Sequence, residues 1–243
     1  MEDFKITPRE ILFSVIIIAL MVGLGVWISN PILESVTENS MKVISAVKVS
    51  DAEKFGYIKR TNVGDFLAEG TLKAKDSVSI SDIKGHYLLI KKVKERYTMH
   101  TRTYVTRSGK VTHVHHQVYW TWDRVHTDMF KSKYVTFLGN VFQLNNISEG
   151  LHHRYIETQK ESSLIRYKYY VVPTKVKGTM IGVCDKKTYM NLEFRENQTI
   201  ENMVKGAEDK IEISPVVFWI VWCLFIFGCI FGFYVLENDW LED

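Results

Sequence analysis

The sequence predicts a membrane protein in which two transmembrane α-helices flank one β-rich (α+β) soluble domain containing a long β-hairpin. Three observations carry this reading. No charged residue occurs from Ile11 through Leu33, none occurs from Ile213 through Leu236, and between the two runs lie short β-prone segments punctuated by glycine. Each uncharged run exceeds the roughly 20 apolar residues that carry a helix across a hydrocarbon core.

The first run, 11–33, is built on Ile16, Ile17, Ile18 and Leu20. It is longer than the apolar stretch of about 7–15 residues in a secretory signal, and the segment from Trp27 to Pro31 is not a small-residue cleavage site, so it reads as an uncleaved anchor. The second run, 213–236, is dominated by Trp219, Trp222, Phe225, Phe227, Phe231 and Phe233. Tyr234 and Trp240 stand where amphipathic rings favour a membrane–water interface. The expected organisation is an N-terminal tail at 1–10, a helix at 11–33, a membrane-proximal domain at 34–212, a helix at 213–236 and an acidic tail at 237–243. The domain is long enough to bury a core of its own.

Charge is unevenly divided. Residues 31–213 carry 29 Lys and Arg against 21 Asp and Glu, a net of +8, whereas the two ends together carry −5. A basic domain beside lipid points to anionic headgroups as a partner rather than nucleic acid, because the positive charges are dispersed and no nucleic-acid signature accompanies them. Membrane lipids are therefore the expected partner, with a protein partner as a further possibility. Only Cys184 lies between the helices, since Cys223 and Cys229 fall within the second. That excludes an intradomain disulfide and a multi-cysteine zinc site.

Lys5 and Arg9 precede the first helix, and positive residues on a short tail favour its retention in the cytoplasm. Lys205 and Lys210 before the second helix, with acidic residues after it, argue the opposite. Long segments translocate largely regardless of charge, so the first helix weighs more. The expectation is an integral membrane protein with both termini cytoplasmic and the main domain extracytoplasmic or luminal. The triplets at Asn146 and Asn197 match glycosylation acceptors but arise too easily by chance to settle the side.

Along the domain, Ile32, Val36, Val43, Ile44 and Val47 recur with a helical rhythm after Pro31, so a helix or broken helix is expected to leave the membrane there and lie against the domain. Strands are expected at 64–70, 78–80 and 87–90, with Gly56, Gly64, Gly70, Gly85 and Gly109 as punctuation. The clearest element is a hairpin, 91–106 against 111–128, around Arg107-Ser108-Gly109-Lys110. With Ser108 and Gly109 as the loop, Tyr97 faces Trp120, Met99 faces Val118 and Thr103 faces Val114 on one face. The other face then pairs Tyr104 with His113, Arg102 with His115, His100 with Gln117 and Thr98 with Tyr119. The apolar face, with Tyr97, Trp120 and Trp122, is expected to be core, so that Trp120→Ala lowers stability sharply and His115→Ala does not. Beyond it, 133–142 reads as extended, 145–160 as looped or partly helical, 164–172 and 179–183 as closing strands, and 200–212 as a helix feeding the second span.

Candidate chemistry is sparse. His113 and His115 share a strand face, and His100 stands diagonally across the hairpin, which makes these three the candidate metal ligands. Against them, Arg102 is expected opposite His115, and no Asp, Glu or Cys is expected on the same strip to complete the set. His152 and His153 are adjacent and point apart. No phosphate loop, nucleophile elbow, zinc-protease motif or dinucleotide fingerprint occurs, so no catalytic residue and no cofactor is expected. In the second helix, Gly228 and Gly232 form a Gly-x-x-x-Gly pair suited to close packing against the first helix or against another copy of the chain. Neither span has an ionisable group at its centre, which disfavours a conduction pathway.

The run Gly64-Asp65-Phe66-Leu67-Ala68-Glu69-Gly70-Thr71-Leu72, the segment Tyr87 to Met99 containing Val93-Lys94-Glu95-Arg96-Tyr97, and Tyr119-Trp120-Thr121-Trp122 together resemble the beside-a-membrane domain shared by the LUMA family and the GIDE-type ubiquitin ligases. Arg166 to Tyr170 and Gly178 to Gly182 resemble that domain's closing strands. The resemblance covers about half of the chain and implies a domain between two spans on the far side of the membrane from the cytosol. No Cys/His-rich zinc module follows Leu236, so ligase activity is not implied, and the additional spans of LUMA proteins are absent. The function expected is that of a non-enzymatic membrane-anchored module that binds, senses or scaffolds a protein or lipid partner. The alternatives are a membrane-bound hydrolase or metalloprotein using the His-rich hairpin, and a small channel or transporter component.

Overall fold

The computed structural model of the chain describes residues 8–108 and 111–241. It divides into two compact units, one formed by the two terminal segments and one by Val47–Ile200.

The terminal unit consists of α1 (Pro8–Ser45, 38 residues) and α3 (Ile200–Leu241, 42 residues). At 1.5 Å per residue these helices are about 57 and 63 Å long, so each continues well beyond its uncharged run. Both are long and apolar enough to cross a membrane. Pro31 and Pro215 lie inside them without ending them, so of the helix or broken helix expected after Pro31 the continuous helix is found and α1 runs on to Ser45. The β-rich unit consequently begins at Val47 rather than at residue 34. The two helices meet through named side chains. The indole N–H of Trp222 donates to the carbonyl of Met21 at 3.0 Å, and a Cβ at Gly25 would lie 2.4 Å from that same indole nitrogen. Glycine at 25 therefore lets a large side chain reach a backbone acceptor that an apolar surrounding makes valuable. Phe13 and Phe233 add a ring contact at 6.5 Å.

The second unit contains α2 (Ala52–Thr61) and twelve strands, β1 (Val47–Val49), β2 (Gly64–Ala74), β3 (Val78–Ile80), β4 (Ile83–Ser108), β5 (Val111–Lys131), β6 (Tyr134–Phe137), β7 (Asn140–Gln143), β8 (Ile147–Gly150), β9 (Arg154–Lys160), β10 (Ile165–Pro173), β11 (Lys175–Asp185) and β12 (Thr188–Glu196). They form two sheets. The seven-stranded sheet has the order β7-β6-β2-β11-β12-β8 with β1 added parallel to β2, and the five-stranded sheet has the order β3-β4-β10-β9 with β5 on β4. Strands at 147–150 and 154–160 replace the loop or helix expected there, and β12 and α2 were not foreseen. Gly56 lies inside α2, where it punctuates nothing.

Helix α2 is set by its ends. Asp51 accepts the N–H of Lys54 at 2.7 Å, and Asn62 takes the left-handed conformation (φ 57°) that closes the helix. The helix delivers Phe55 and Ile58 into the main core. Phe55 stacks on Tyr189 with ring centroids 4.9 Å apart and meets Phe66 and Phe137 edge-on. The Tyr189 hydroxyl donates to the Phe55 carbonyl at 2.9 Å, so the polar end of the half-buried ring is satisfied. Leu88, Leu89 and Val172 of the five-stranded sheet belong to the same core, which ties the two sheets together. At the chain's passage from β5 to β6, Asp76 accepts the Ser132 hydroxyl and the N–H groups of Lys133 and Tyr134. Burial acts to raise the Asp76 carboxyl, but these donors outweigh it and hold it below the ordinary carboxylate range.

Phe55→Ala should destabilise this unit by about 3–5 kcal/mol, since it removes a fully buried ring with aromatic contacts on several sides. Chemical denaturation of the purified chain, followed by far-ultraviolet circular dichroism, checks this.

Candidate functional site

The most distinctive surface arises where β4 outgrows its neighbours. On one side β4 pairs with β10 from Tyr87 to Arg96, and on the other with β5 from Leu89 to Ser108. The last link to β10's side is the Tyr97 N–H to the Leu164 carbonyl at 2.9 Å. From Thr98 onward, among the described residues, β4 pairs with β5 alone. Thr98–Ser108 and Val111–Thr121 thus make a two-stranded arm, about 36 Å long at 3.3 Å per residue.

The pairing within the arm differs from the sequence expectation by two positions. Ser108 pairs with Val111, whereas Ser108 was expected in the loop; Gly109 and Lys110 lie outside the described residues. Tyr97 faces Trp122, Met99 faces Trp120, Thr103 faces His116 and Tyr104 faces His115, while Arg102 faces Gln117, not His115. Because side chains alternate with a period of two, a shift of two leaves each residue on the face expected for it. The two faces were right and the partners were wrong.

The apolar face does not form core. Met99, Val105, Val114, Val118 and Trp120 are between 49% and 61% exposed. Only at the base does burial begin, where Tyr97 and Trp122 are half-buried. Tyr97 stacks on Trp120 at 5.3 Å, and the Arg166 guanidinium lies 4.1 Å from the Trp122 ring centroid. The expected role of Trp120 as a core residue is therefore corrected. It caps the edge of the folded base and presents its free side outward.

The base is held by charge as well. Glu95, at the bulge between Lys94 and Glu95, accepts Arg166 at 2.7 Å and lies 3.1 Å from the Lys168 ammonium. Burial acts to raise this carboxyl, but the two cations outweigh it and keep it below its ordinary value. A depressed carboxyl contributes stability that is present at neutral pH and is lost as pH falls through the folded value.

On the opposite face the histidines separate. His100 Nε2 lies 2.6 Å from Asp123 Oδ2 and 3.2 Å from the Thr98 hydroxyl, and its ring stacks on Tyr119. Asp123 also accepts the Thr121 hydroxyl at 2.8 Å and the Thr98 hydroxyl. The Thr121 hydroxyl, then His100, hold the Asp123 carboxyl below the usual range. An acidic residue does share this strip, contrary to expectation, but it is engaged with His100. His115 stacks on Tyr104 and contacts the Thr106 hydroxyl at 2.8 Å, with the His113 ring 6.4 Å away. His100 and Tyr104, the residue opposite His115, are four positions apart on β4, about 13 Å along the strand. The three candidate ligands His100, His113 and His115 are thus not brought together. Among the described residues no group of three or more His, Cys, Asp or Glu side chains is placed to hold a metal ion.

Gly228 and Gly232 have nothing within 4 Å of where a Cβ would stand, so they do not serve the contact with α1, which Gly25 serves instead. No family model matches the sequence, no curated protein matches it, and no solved structure matches the fold.

Arm and base should respond differently to truncation. Trp120→Ala should change stability by less than about 0.5 kcal/mol, as at other surface positions. Arg166→Ala should cost about 1.5–3 kcal/mol, because it takes a charged hydrogen bond from a mostly buried carboxylate. The Arg166→Ala loss should shrink as pH falls through the depressed folded value of Glu95, because a protonated carboxyl no longer gains from the guanidinium. Denaturation curves at neutral and acid pH measure both.

Proposed function

We propose that the chain is a non-enzymatic, membrane-anchored binding module whose two-stranded arm is the surface that meets its partner. The observation that supports this most directly is the exposed strip of Met99, Val105, Val114, Val118 and Trp120 on an element that contributes little to the core. Apolar side chains gathered on one face of a projecting ribbon are costly to leave in water, and contiguous exposed patches of this kind mark contact sites. The unpaired outer edges of the ribbon are a second invitation to association. The resemblance to the beside-a-membrane domain points the same way, since that domain stands between membrane spans.

The module is anchored by α1 and α3, with both termini on the cytoplasmic side and the β-rich unit on the other. Arg9 supports this side, and Lys5 lies outside the described residues. The free glycine face of α3, Gly228 and Gly232, suits a second copy of the chain as a further partner.

Replacing 98–121 by a two-residue turn should leave the melting of the β-rich unit unchanged while removing the chain's cross-links to neighbours in intact membranes. Retention of every cross-link by the shortened chain would sink the reading. For the topology, protease added to right-side-out vesicles should remove an epitope inserted after Ser108 and spare both termini. Protected arms with exposed termini would invert it.

A further inference from the structure

If the arm is the contact surface proposed above, its own residues define the chemistry of what it meets. From Thr98 to Thr121 the chain carries Arg102, Arg107 and Lys110 and no Asp or Glu. Two arms brought face to face would set like charge against like, which disfavours a second copy as the occupant and favours an acidic surface. That surface must also accept the strip of Met99, Val105, Val114, Val118 and Trp120, which are about half exposed.

An anionic leaflet meets both demands. The boundary between headgroups and acyl chains takes apolar side chains and tryptophan, and lipid phosphates take Arg and Lys side chains whose aliphatic stems lie along the apolar layer. Headgroups are also tethered to the arm by the chain itself, which carries two helices apolar enough to span a bilayer. Tethering raises their effective concentration with no new contact. The ribbon's edges limit its depth. The outward backbone groups of Thr98–Ser108 and Val111–Thr121 have no third strand among the described residues, and such groups are not tolerated in hydrocarbon, whereas headgroups and water can satisfy them.

We infer that the arm is an interfacial lipid-binding element. Its Met99 and Trp120 face rests at the acyl boundary of an anionic leaflet, where Arg107 on that face engages lipid phosphates and Arg102, on the opposite face, adds to the positive field that draws the arm to the leaflet.

The test uses the full chain with a photoreactive diazirine amino acid in place of Val118, reconstituted in nanodiscs. The discs are phosphatidylcholine alone, or phosphatidylcholine and phosphatidylserine in a two-to-one ratio. Lipid adducts at residue 118 should be about fivefold more abundant with phosphatidylserine, as expected of surface cations near anionic lipid. The doubly substituted chain R102E/R107E, whose changes fall on the exposed arm, should melt like the parent and return to the phosphatidylcholine yield. Equal yields in the two discs overturn the inference. Irradiation in native membranes separates the two levels of the argument. Protein adducts in place of lipid defeat the lipid assignment and keep the arm as contact surface, whereas no adduct of either kind defeats both.

Discussion

The β9–β10 connection turns within four residues, between Lys160 and Ile165, and the character of the exposed surface depends on that one constraint. Up to Arg96, β4 has a partner on each side, and its Leu88 and Leu89 enter the core shared by the two sheets. Past Arg96 the neighbouring chain has turned back, while β4 and β5 continue to pair for twelve more residues. Backbone hydrogen bonds sustain the ribbon where packing no longer does. A strand that is core at Leu88, Leu89 and Ile90 becomes surface at Met99 while remaining a strand throughout.

The junction between those two regimes carries a linked set of polar and aromatic contacts. Glu95 is held by Arg166 and Lys168, Arg166 also lies over Trp122, and Trp122 meets Tyr97. A second centre lies further down the sheet, where Asp82 accepts the Tyr169 hydroxyl at 2.9 Å and pairs with Lys92. The bond to Lys92, then that to Tyr169, keep the Asp82 carboxyl depressed, and burial raises the Tyr169 phenol. These networks fix where the folded base ends. They explain how an arm can project from a rigid root instead of fraying from it.

The terminal helices solve a different problem with similar means. In α1 the hydroxyls of Ser14 and Ser29 bond back to the carbonyls of Ile11 and Val26, so small polar groups in an apolar run are satisfied within their own helix. Trp222 is too long for that and takes its acceptor from α1, through the gap that Gly25 leaves. The glycine pair that drew attention in the sequence, Gly228 and Gly232, lies elsewhere on α3. Motif spacing identifies a face that permits close approach, but which face is used depends on where the larger side chains find their partners.

Much of the architecture was legible in the residues themselves. Uncharged runs of sufficient length announce apolar helices because a charge inside them is costly in lipid, and the period-two alternation around Gly109 announces a hairpin and assigns each side chain to a face. The α2 helix was missed because its two core residues, Phe55 and Ile58, give too short a stripe to show a period. The capping signal at Asp51 and Asn62 was there to be read. Strands β8 and β9 were missed because their exposed residues lack strong alternation, and their neighbours β12 and β10 impose the extended form. Sequence could place Trp120 on the apolar face but could not say whether anything covers that face. Alternation encodes the side a residue points to, whereas burial depends on how far a neighbouring strand extends, and that was decided only when β10 began at Ile165.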